Sequence, residues 1–276
     1  MQVTDFARAW FFDAGKPHLA NYPSVLDDEA EIPKLEASLE DIGEYQRRLW
    51  ANRSEAVLLV VHGPDASGKD SLIRTLATFV DPAGFHAWSF GRPDGAETRH
   101  DFLWRVARKV PELGEMVAFN RSHHEAVIGE RLWPVHPPER YSWPNRYRSI
   151  RDFERHLVNE GTTIVKVWLN LSEDEHRRRL LARLDKPRKR WKFDQSDVSG
   201  WKKRAEYAAF AEQALANTHT EFAPWFIVPA DRKPQARAIV AKLLAEQLQR
   251  LAPDYPEDDK AVLREYRRLL ADEGVK

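Results

Sequence analysis

The chain has 276 residues, of which 42% are hydrophobic, so it is long enough to bury a substantial core. Its 43 Lys and Arg residues balance its 43 Asp and Glu residues, and it has no cysteine. This composition excludes disulfides, cysteine metal sites and thiol chemistry, and it argues against a general nucleic-acid coat, which needs a basic excess.

In the N-terminal part of the chain, the sequence predicts an irregular arm, a helix, a strand and a second helix, in that order. Residues 1–30 show no clear periodicity, whereas apolar residues at 35–49 recur at spacings of three and four, typical of an amphipathic helix. Residues 57–61 are a short apolar run with three β-branched side chains, ending just before Gly63, which predicts a buried strand of a parallel sheet. Residues 70–79 return to helical spacing.

The same alternation continues along the chain. Further strands are predicted at 85–90, 116–119, 163–171 and 225–228, and helices at about 97–110, 146–160, 173–184, 203–217 and 234–250. Strands that alternate with helices imply right-handed βαβ units, so we expect an α/β fold with a five-stranded parallel sheet between two layers of helices. The tail from residue 256 carries one more helical pattern.

The first residues carry Asp5 and Asp13 and no long apolar run, which argues against a signal peptide. No stretch reaches the roughly 20 apolar residues that cross a bilayer. We therefore expect a cytoplasmic protein with no membrane partner.

The strongest local signal is the segment Gly63-Pro64-Asp65-Ala66-Ser67-Gly68-Lys69-Asp70. It has the spacing of a phosphate loop, in which glycines let backbone N–H groups close around phosphate oxygens and the lysine adds a full charge. A predicted strand precedes the segment and a predicted helix follows it, as this motif requires. The alternative is a tight strand-to-helix turn with an incidental lysine.

One position departs from the phosphate-loop pattern. Ser or Thr normally follows the lysine and holds Mg²⁺, but this chain has Asp70 there and Ser71 one place later. We therefore expect Asp65 to supply the metal-binding oxygen, and the alternative is that Asp65 only caps the loop.

Polar residues follow the predicted strand at 116–119, at the sheet edge where ligands bind. Asn120 stands where many phosphate-loop enzymes have an Asp near Mg²⁺, and it can orient a water without adding charge. Arg121 is placed to stabilise charge on a transferring phosphoryl group. His123 and His124 suggest a metal, but we do not expect adjacent side chains to face one ion.

A basic segment begins after the predicted strand at 163–171. Ser172 and Glu175 form a capping-box pattern, and residues 176–192 contain six Arg, three Lys and one acid. The plainest interpretation is a solvated basic helix face. However, Trp191 and Phe193 interleave with the charges, and nucleotide kinases place a mobile basic lid at this point of the chain. We therefore predict a helical basic lid over about 176–205.

Taken in order, these motifs resemble the polyphosphate kinase 2 family over roughly residues 30–250. The segments that carry the resemblance are the loop 63–70, His100-Asp101-Phe102-Leu103-Trp104-Arg105, Phe119-Asn120-Arg121-Ser122-His123, and residues 185–193, 223–225 and 229–233. The Asn-Arg-Ser-His motif is similar to the subgroup that accepts both nucleoside mono- and diphosphates. The resemblance implies a three-layer P-loop kinase fold, with an arm and helix at 1–50, the kinase domain at 51–250 and a helical tail at 251–276.

The resemblance also implies an activity and a set of site residues. The activity is reversible transfer of phosphate from inorganic polyphosphate to AMP, ADP, GMP or GDP, dependent on Mg²⁺ or Mn²⁺, in a homodimer or homotetramer. Carried over, Asp65, Lys69, Asn120 and Arg121 are the catalytic residues, with Asp65 as the metal ligand. The nucleotide and phosphate contacts carried over are Gly63, Ala66, Ser67, Gly68, Asp70, Glu125, Arg131, Arg178, Arg183, Lys189 and Lys192.

The sequence departs from the family pattern at several positions. Ala126 and His124 replace an acid and a Tyr, and Gly91 replaces a Lys, with Arg92 next to it. Arg and Trp are exchanged in the lid, as Trp201 and Arg204. Two other functions stay open from the residues: an ATP-dependent nucleotide kinase, and a non-catalytic binder of polyphosphate or nucleic acid. The zero net charge argues against a nucleic-acid partner.

Overall fold

The computed structural model describes residues 4–27, 29–191, 193, 195–251 and 254–272. Within these residues, five strands form one parallel sheet in the order β2-β3-β1-β4-β5. The strands are β1 Ala56–His62, β2 Phe85–Ser89, β3 Met116–Asn120, β4 Thr162–Asn170 and β5 Trp225–Pro229. The predicted α/β fold with a five-stranded parallel sheet is confirmed, and every predicted strand end lies within one residue of the observed end.

Helices cover both faces of the sheet. They are α1 Asp5–Arg8, α2 Leu35–Asn52, α3 Lys69–Ala77, α4 Trp104–Ala107, α5 Gly129–Leu132, α6 Trp143–Asn159, α7 Glu173–Asp185, α8 Pro187–Arg190, α9 Gln195–Lys202, α10 Arg204–Thr218, α11 Lys233–Leu251 and α12 Lys260–Asp272. Single 3₁₀ turns span Leu19–Asn21, Pro82–Gly84, Gly95–Arg99, His123–Val127 and Pro138–Arg140. No helix in the described ranges is both long and apolar enough to cross a bilayer.

The helix predicted over residues 97–110 is wrong. The structure has only a 3₁₀ turn at Gly95–Arg99 and the single turn α4. His100 is extended, and the Asp101 carboxylate accepts hydrogen bonds from the N–H groups of Leu103 and Trp104, at 2.9 and 3.2 Å. A side chain that caps backbone groups in this way starts a new turn and interrupts a continuous helix.

The sheet separates two apolar layers. Alternate residues of a strand point to opposite faces, so Val57, Leu59 and Val61 of β1 pack with α2, α3 and α11. Leu58 and Val60 point the other way and pack with α6 and α10. Both faces of β1 are therefore buried, which explains why its sequence is a continuous apolar run.

The arm predicted as irregular is joined to the edge of the sheet beside β5. The N–H of Ile227 donates to the carbonyl of Trp10 at 2.7 Å, and the N–H of Phe12 donates to the carbonyl of Trp225 at 3.0 Å. These contacts are backbone hydrogen bonds, so they leave no periodic pattern in the sequence. The arm thus lies against the edge of the sheet.

The topology places a crevice at the carboxyl end of β1. The chain leaves β1 towards β2 and β3 on one side, then crosses to β4 and β5 on the other side. In open parallel sheets such a switch point separates the loops on either side of the central strand and forms the ligand site. The loop after β1 and the end of β3 meet at this point.

Candidate active site

The loop between β1 and α3 has the backbone that a phosphate cradle needs. Gly63, Ala66 and Gly68 have positive φ angles of 144°, 62° and 116°. At Gly63 a Cβ atom would lie 2.9 Å from the carbonyl oxygen of Leu169, so a side chain there would clash with β4. Ala66 holds a left-handed conformation that L-residues rarely adopt outside functional sites. The loop is thus curved and close to the sheet.

Lys69 lies inside this curve with 7% of its surface exposed. Its ammonium donates to the carbonyl oxygens of Gly63 at 2.8 Å and Pro64 at 2.9 Å. Burial, together with the nearby Arg121 guanidinium, lowers the pKa of Lys69 from 10.5 to about 8, and the neighbouring carboxylates offset part of this shift. At neutral pH the lysine is therefore charged, within the loop that would surround a phosphate.

The end of β3 brings three more of the predicted residues to the same place. The Arg121 guanidinium donates to Asp65 Oδ1 at 2.6 Å and lies 3.6 Å from Glu125 Oε2. The Asn120 amide donates to Asp70 Oδ1 at 2.6 Å. Arg121 itself has a φ of 64°, a strained conformation like that of Ala66. The structure thus unites Asp65, Lys69, Asn120 and Arg121 in one contact network with the loop.

The charges of this network have distinct environments. Burial by itself would raise the pKa of the Asp65 carboxyl, but Arg121 and Lys69 lower it below its usual value. Burial raises the pKa of Glu125, against the opposing effect of the same two cations. The carboxylate of Glu125 raises the pKa of Arg121 above its ordinary value, which is already high. Asp65 and Arg121 are therefore both charged at neutral pH.

Behind the end of β3 lies a buried polar network. Ser122 Oγ is 2.8 Å from His62 Nε2 and 3.1 Å from His124 Nδ1. Burial lowers the pKa of both His62 and His124 well below the ordinary value, so their imidazoles are neutral. These contacts join the end of β1 to the segment after β3 and hold Asn120 and Arg121 in place.

Adjacent histidines were not expected to face one ion, but His123 and His124 both approach one carboxylate. Their Nε2 atoms lie 3.1 and 3.4 Å from the same carboxylate oxygen of Glu154. Within the described ranges, these three residues form a group whose ligand atoms lie within 4.8 Å of one another, close enough to hold a metal ion. However, the Lys166 ammonium donates to Glu154 at 2.7 Å and already neutralises its charge. The donor set also includes two imidazoles, whereas Mg²⁺ prefers oxygen ligands.

The lid segment holds the phosphate loop through Arg179, which sequence reasoning missed. Its guanidinium donates to four carbonyl oxygens, those of Ala66, Ser67, Ala230 and Asp231, at 2.7 to 3.0 Å. It thereby joins the loop after β1 to the loop after β5. Helical spacing is the signal that could have identified Arg179. It shares a face of α7 with the buried residues His176 and Leu180, at positions i, i+3 and i+4.

The two lid arginines that the resemblance carried over have other contacts in this structure. The Arg183 guanidinium donates to Asp197 Oδ1 at 2.8 Å and so ties α7 to α9. The Arg178 side chain is 71% exposed and pairs with Glu175 on its own helix. Among the residues that the structure describes, neither donates a hydrogen bond to the phosphate loop.

The remaining cations that the resemblance carried over are Arg131, Lys189 and Lys192. Arg131 donates to the Tyr147 hydroxyl at 3.1 Å and stacks 4.1 Å above the ring of Phe210, between α5, α6 and α10. Lys189 lies in α8, but its side chain is outside the described part of the structure. Lys192 lies outside the described residues altogether.

The positions that depart from the family pattern have different environments in the structure. Ala126 is buried, and its carbonyl oxygen accepts a hydrogen bond from Arg146 at 2.6 Å. A Cβ at Gly91 would meet no atom within 4 Å, so a longer side chain would fit there. The exchanged pair in the lid stack on each other, with the Arg204 guanidinium 4.4 Å above the Trp201 ring.

Comparison with known proteins agrees with this geometry. Residues 25–256 match the family model for polyphosphate kinase 2. A Rhodopseudomonas palustris protein named ADP-polyphosphate phosphotransferase is 39% identical over 265 residues, which cover 91% of this chain and 92% of that protein. A Meiothermus ruber protein named AMP/ADP-polyphosphate phosphotransferase is 43% identical over 216 residues, 78% of this chain and 80% of its own. The crystal structure of polyphosphate kinase 2 from Arthrobacter aurescens TC1 superposes with a TM-score of 0.89 at 33% identity, covering 98% of each chain.

Proposed function

The chain belongs to the polyphosphate kinase 2 family, and on that basis we propose that it transfers phosphate between inorganic polyphosphate and nucleoside mono- or diphosphates. The observation that carries the proposal is the position of the Lys69 ammonium inside the loop, beside the ion pair of Arg121 and Asp65. Two fixed cations at a switch point suit a transferring phosphoryl group, whose charge is spread over its outer oxygens.

The reaction needs positioning and charge more than covalent chemistry. An oxygen of the acceptor's last phosphate attacks the terminal phosphorus of polyphosphate, and the bond from that phosphorus to the bridging oxygen breaks. The shortened polyphosphate leaves with the electron pair. In this proposal Lys69 and Arg121 stabilise the negative charge on the transferring group. The attacking oxygen is already largely deprotonated at neutral pH, so the neutral Asn120 need only orient it.

A metal ion would complete the charge balance. Asp65 fits Mg²⁺, because its carboxylate is an oxygen ligand held ionised by Arg121 and Lys69, next to the phosphate loop. Mg²⁺ typically binds one or two carboxylates and completes its octahedron with waters and substrate phosphates. When bound, it would neutralise charge on the phosphates in transfer, and Mn²⁺ accepts the same oxygen donors.

The basic lid supports polyphosphate as the donor. Polyphosphate carries about one charge per phosphate and has no base to be read, so a site for it needs several cations, and its binding weakens with salt as for nucleic acids. The α7–α9 segment supplies these cations, and we propose that the contacts of Arg178, Arg183, Lys189 and Lys192 with phosphate form when polyphosphate binds. The homodimer or homotetramer and the cytoplasmic location stay predictions.

The test is a matrix of donors and acceptors. Purified protein with Mg²⁺ is given AMP, ADP, GMP or GDP with polyphosphate as the donor, and the same acceptors with ATP as the donor. We expect product from polyphosphate with at least one acceptor. Product from ATP alone would favour an ATP-dependent nucleotide kinase, and tight RNA binding without any turnover would favour a non-catalytic binder.

A further inference from the structure

The two edges of the sheet differ in what covers them. Beside β5, the arm bonds to the strand through backbone groups, with Ile227 donating to Trp10 at 2.7 Å and Phe12 donating to Trp225 at 3.0 Å. At the other edge, β2 pairs with β3 on one side and with no strand of the described residues on the other side. The sheet therefore ends at β2 with a row of backbone groups that no strand in this part of the chain covers.

The outward-facing backbone groups of β2 can be identified from its pairing with β3. The N–H of Phe90 donates to the carbonyl oxygen of Asn120 at 3.0 Å, so Phe90 faces β3. Successive residues of a strand direct their N–H and C=O groups to opposite sides, so Phe85, Ala87 and Ser89 face away from β3. These three residues present their backbone groups at the open edge.

The side chains of β2 are also poorly covered. His86, Ala87, Trp88 and Ser89 are all exposed, whereas every residue of β1 is buried. Natural proteins protect an edge strand with charged side chains or proline, or cover it with another segment. The sequence of β2 contains no Lys, Arg, Asp, Glu or Pro, and Trp88 is 36% exposed. Such an edge is suited to pairing with a further strand.

A second copy of the same strand satisfies this edge completely. When two β2 strands run antiparallel about a two-fold axis at Ala87, this residue lies opposite its own copy, and Phe85 lies opposite Ser89 of the partner subunit. These are the outward-facing residues, so each opposed pair exchanges two N–H···O bonds, as in a regular antiparallel ladder. The same contacts occur on both sides of the axis, as a two-fold interface requires.

The side chains beside the edge favour a second copy over an unrelated peptide. In this pairing His86 lies opposite Trp88 of the partner subunit, at a position where side chains come closest. Within one chain, Glu115 Oε1 lies 3.2 Å from His86 Nε2, and the Lys109 ammonium lies 3.6 Å from the centre of the Trp88 ring. Pairing therefore brings Glu115 of one subunit towards Lys109 of the partner subunit, so opposite charges meet on both sides of the axis.

We propose that the open edge of β2 is an interface between two copies of this chain, in which the two β2 strands pair antiparallel about a two-fold axis at Ala87. The two sheets then form one continuous sheet across the dimer. The inference does not rest on the proposed function, because none of the residues at this edge is a proposed site residue.

The test uses substitutions at Ala87, which is exposed and whose N–H faces away from β3. Ala87→Pro removes that N–H, and proline is tolerated on an edge strand when its N–H side faces solvent, so the single chain should still fold. Ala87→Ser keeps the N–H and is the matched control. Ala87→Lys and Ala87→Glu each place like charges opposite one another across the axis, whereas a mixture of the two proteins places Lys opposite Glu. Light scattering after gel filtration measures the mass, and circular dichroism checks the fold of each variant.

We expect the wild type and Ala87→Ser to have a mass that is an even multiple of the 32.1 kDa chain, and Ala87→Pro to have half of the wild-type mass. The Lys and Glu variants should each associate about tenfold more weakly than their equimolar mixture, as expected for exchanging like for opposite charges in a cross-strand pair. This second comparison decides the matter if the proline variant does not fold. A monomeric wild type, a folded Ala87→Pro with the wild-type mass, or a mixture that associates no better than its components would overturn the inference.

Discussion

Raising the pH from 7 to 9 is expected to weaken polyphosphate binding about tenfold. In the free protein the pKa of Lys69 is about 8, because burial and Arg121 disfavour its charged form. Bound phosphate stabilises that charge, so the free protein must take up a proton on binding once the pH exceeds 8. The dissociation constant then rises tenfold per pH unit above 8 and is nearly flat below it. Arg121 stays charged throughout this range.

The assay is a titration of polyphosphate binding between pH 6.5 and 9.5 at constant ionic strength, by calorimetry in buffers of different ionisation enthalpy. The change of the measured binding enthalpy from one buffer to the next gives the number of protons that the protein takes up on binding. Lys69→Arg is the control, because a guanidinium does not deprotonate in this range and its affinity should show no break near pH 8. Wild-type affinity that stays flat to pH 9.5, or the same slope in both proteins, would refute the reasoning.

The lowered pKa of Lys69 also affects the stability of the free protein. Raising the pH weakens polyphosphate binding, but it is expected to stabilise the folded chain. The pKa of Lys69 is lower in the folded than in the unfolded chain, so between about pH 8 and 10.5 the unfolded chain binds more protons. The free energy of unfolding therefore rises over that window, by up to about 3 kcal/mol at 1.36 kcal/mol per pH unit. Denaturant titrations of the wild type and Lys69→Met, which lacks the group, should differ in this slope.

Three other changes follow from the site. Asp65→Asn should raise the Mg²⁺ concentration needed for half-maximal rate about tenfold, since a carboxylate ligand is lost; an unchanged Mg²⁺ titration would assign the metal to another group. Arg179→Met removes the bonds to four carbonyls and should lower the free energy of unfolding by about 3 kcal/mol, whereas the exposed neighbour Arg178→Met should change it by less than about 0.5 kcal/mol. Equal effects of the two substitutions would argue that Arg179 does not hold the loops after β1 and β5 together. Glu154→Gln leaves the buried Lys166 charge without its counter-charge, which should lower the free energy of unfolding by about 3–5 kcal/mol in urea titrations, and a near-neutral result would contradict the buried ion pair.

The strands and the phosphate loop could be predicted because their signals are local. Strands buried on both faces appear as continuous apolar runs, and β1 is exposed by no more than 1% at any of its apolar positions. The spacing of Gly63, Gly68 and Lys69 reflects backbone angles that the structure also requires. Asn120 and Arg121 could be placed at the site because parallel strands end at one edge of the sheet.

What could not be predicted depends on contacts between distant segments. The run His176 to Arg179 is uniformly basic, so charge alone does not show that Arg179 turns inward while Arg178 faces solvent. The convergence of His123 and His124 depends on Glu154 from another helix. The arm attaches through backbone hydrogen bonds with β5 and through buried side chains such as Phe12 and Leu19, which show no regular spacing, so its place in the fold left no periodic pattern.

The central claim is that phosphate moves from polyphosphate to a nucleotide at the loop that holds Lys69. The most direct measurement is ATP formation from ADP and polyphosphate, with Mg²⁺ and no other donor, by the wild type and by Lys69→Met. We predict ATP from the wild type and a rate roughly 10²–10³-fold lower in the variant, the usual loss for one removed charge-stabilising donor. No ATP from the wild type, or equal rates from the two folded proteins, would contradict the account.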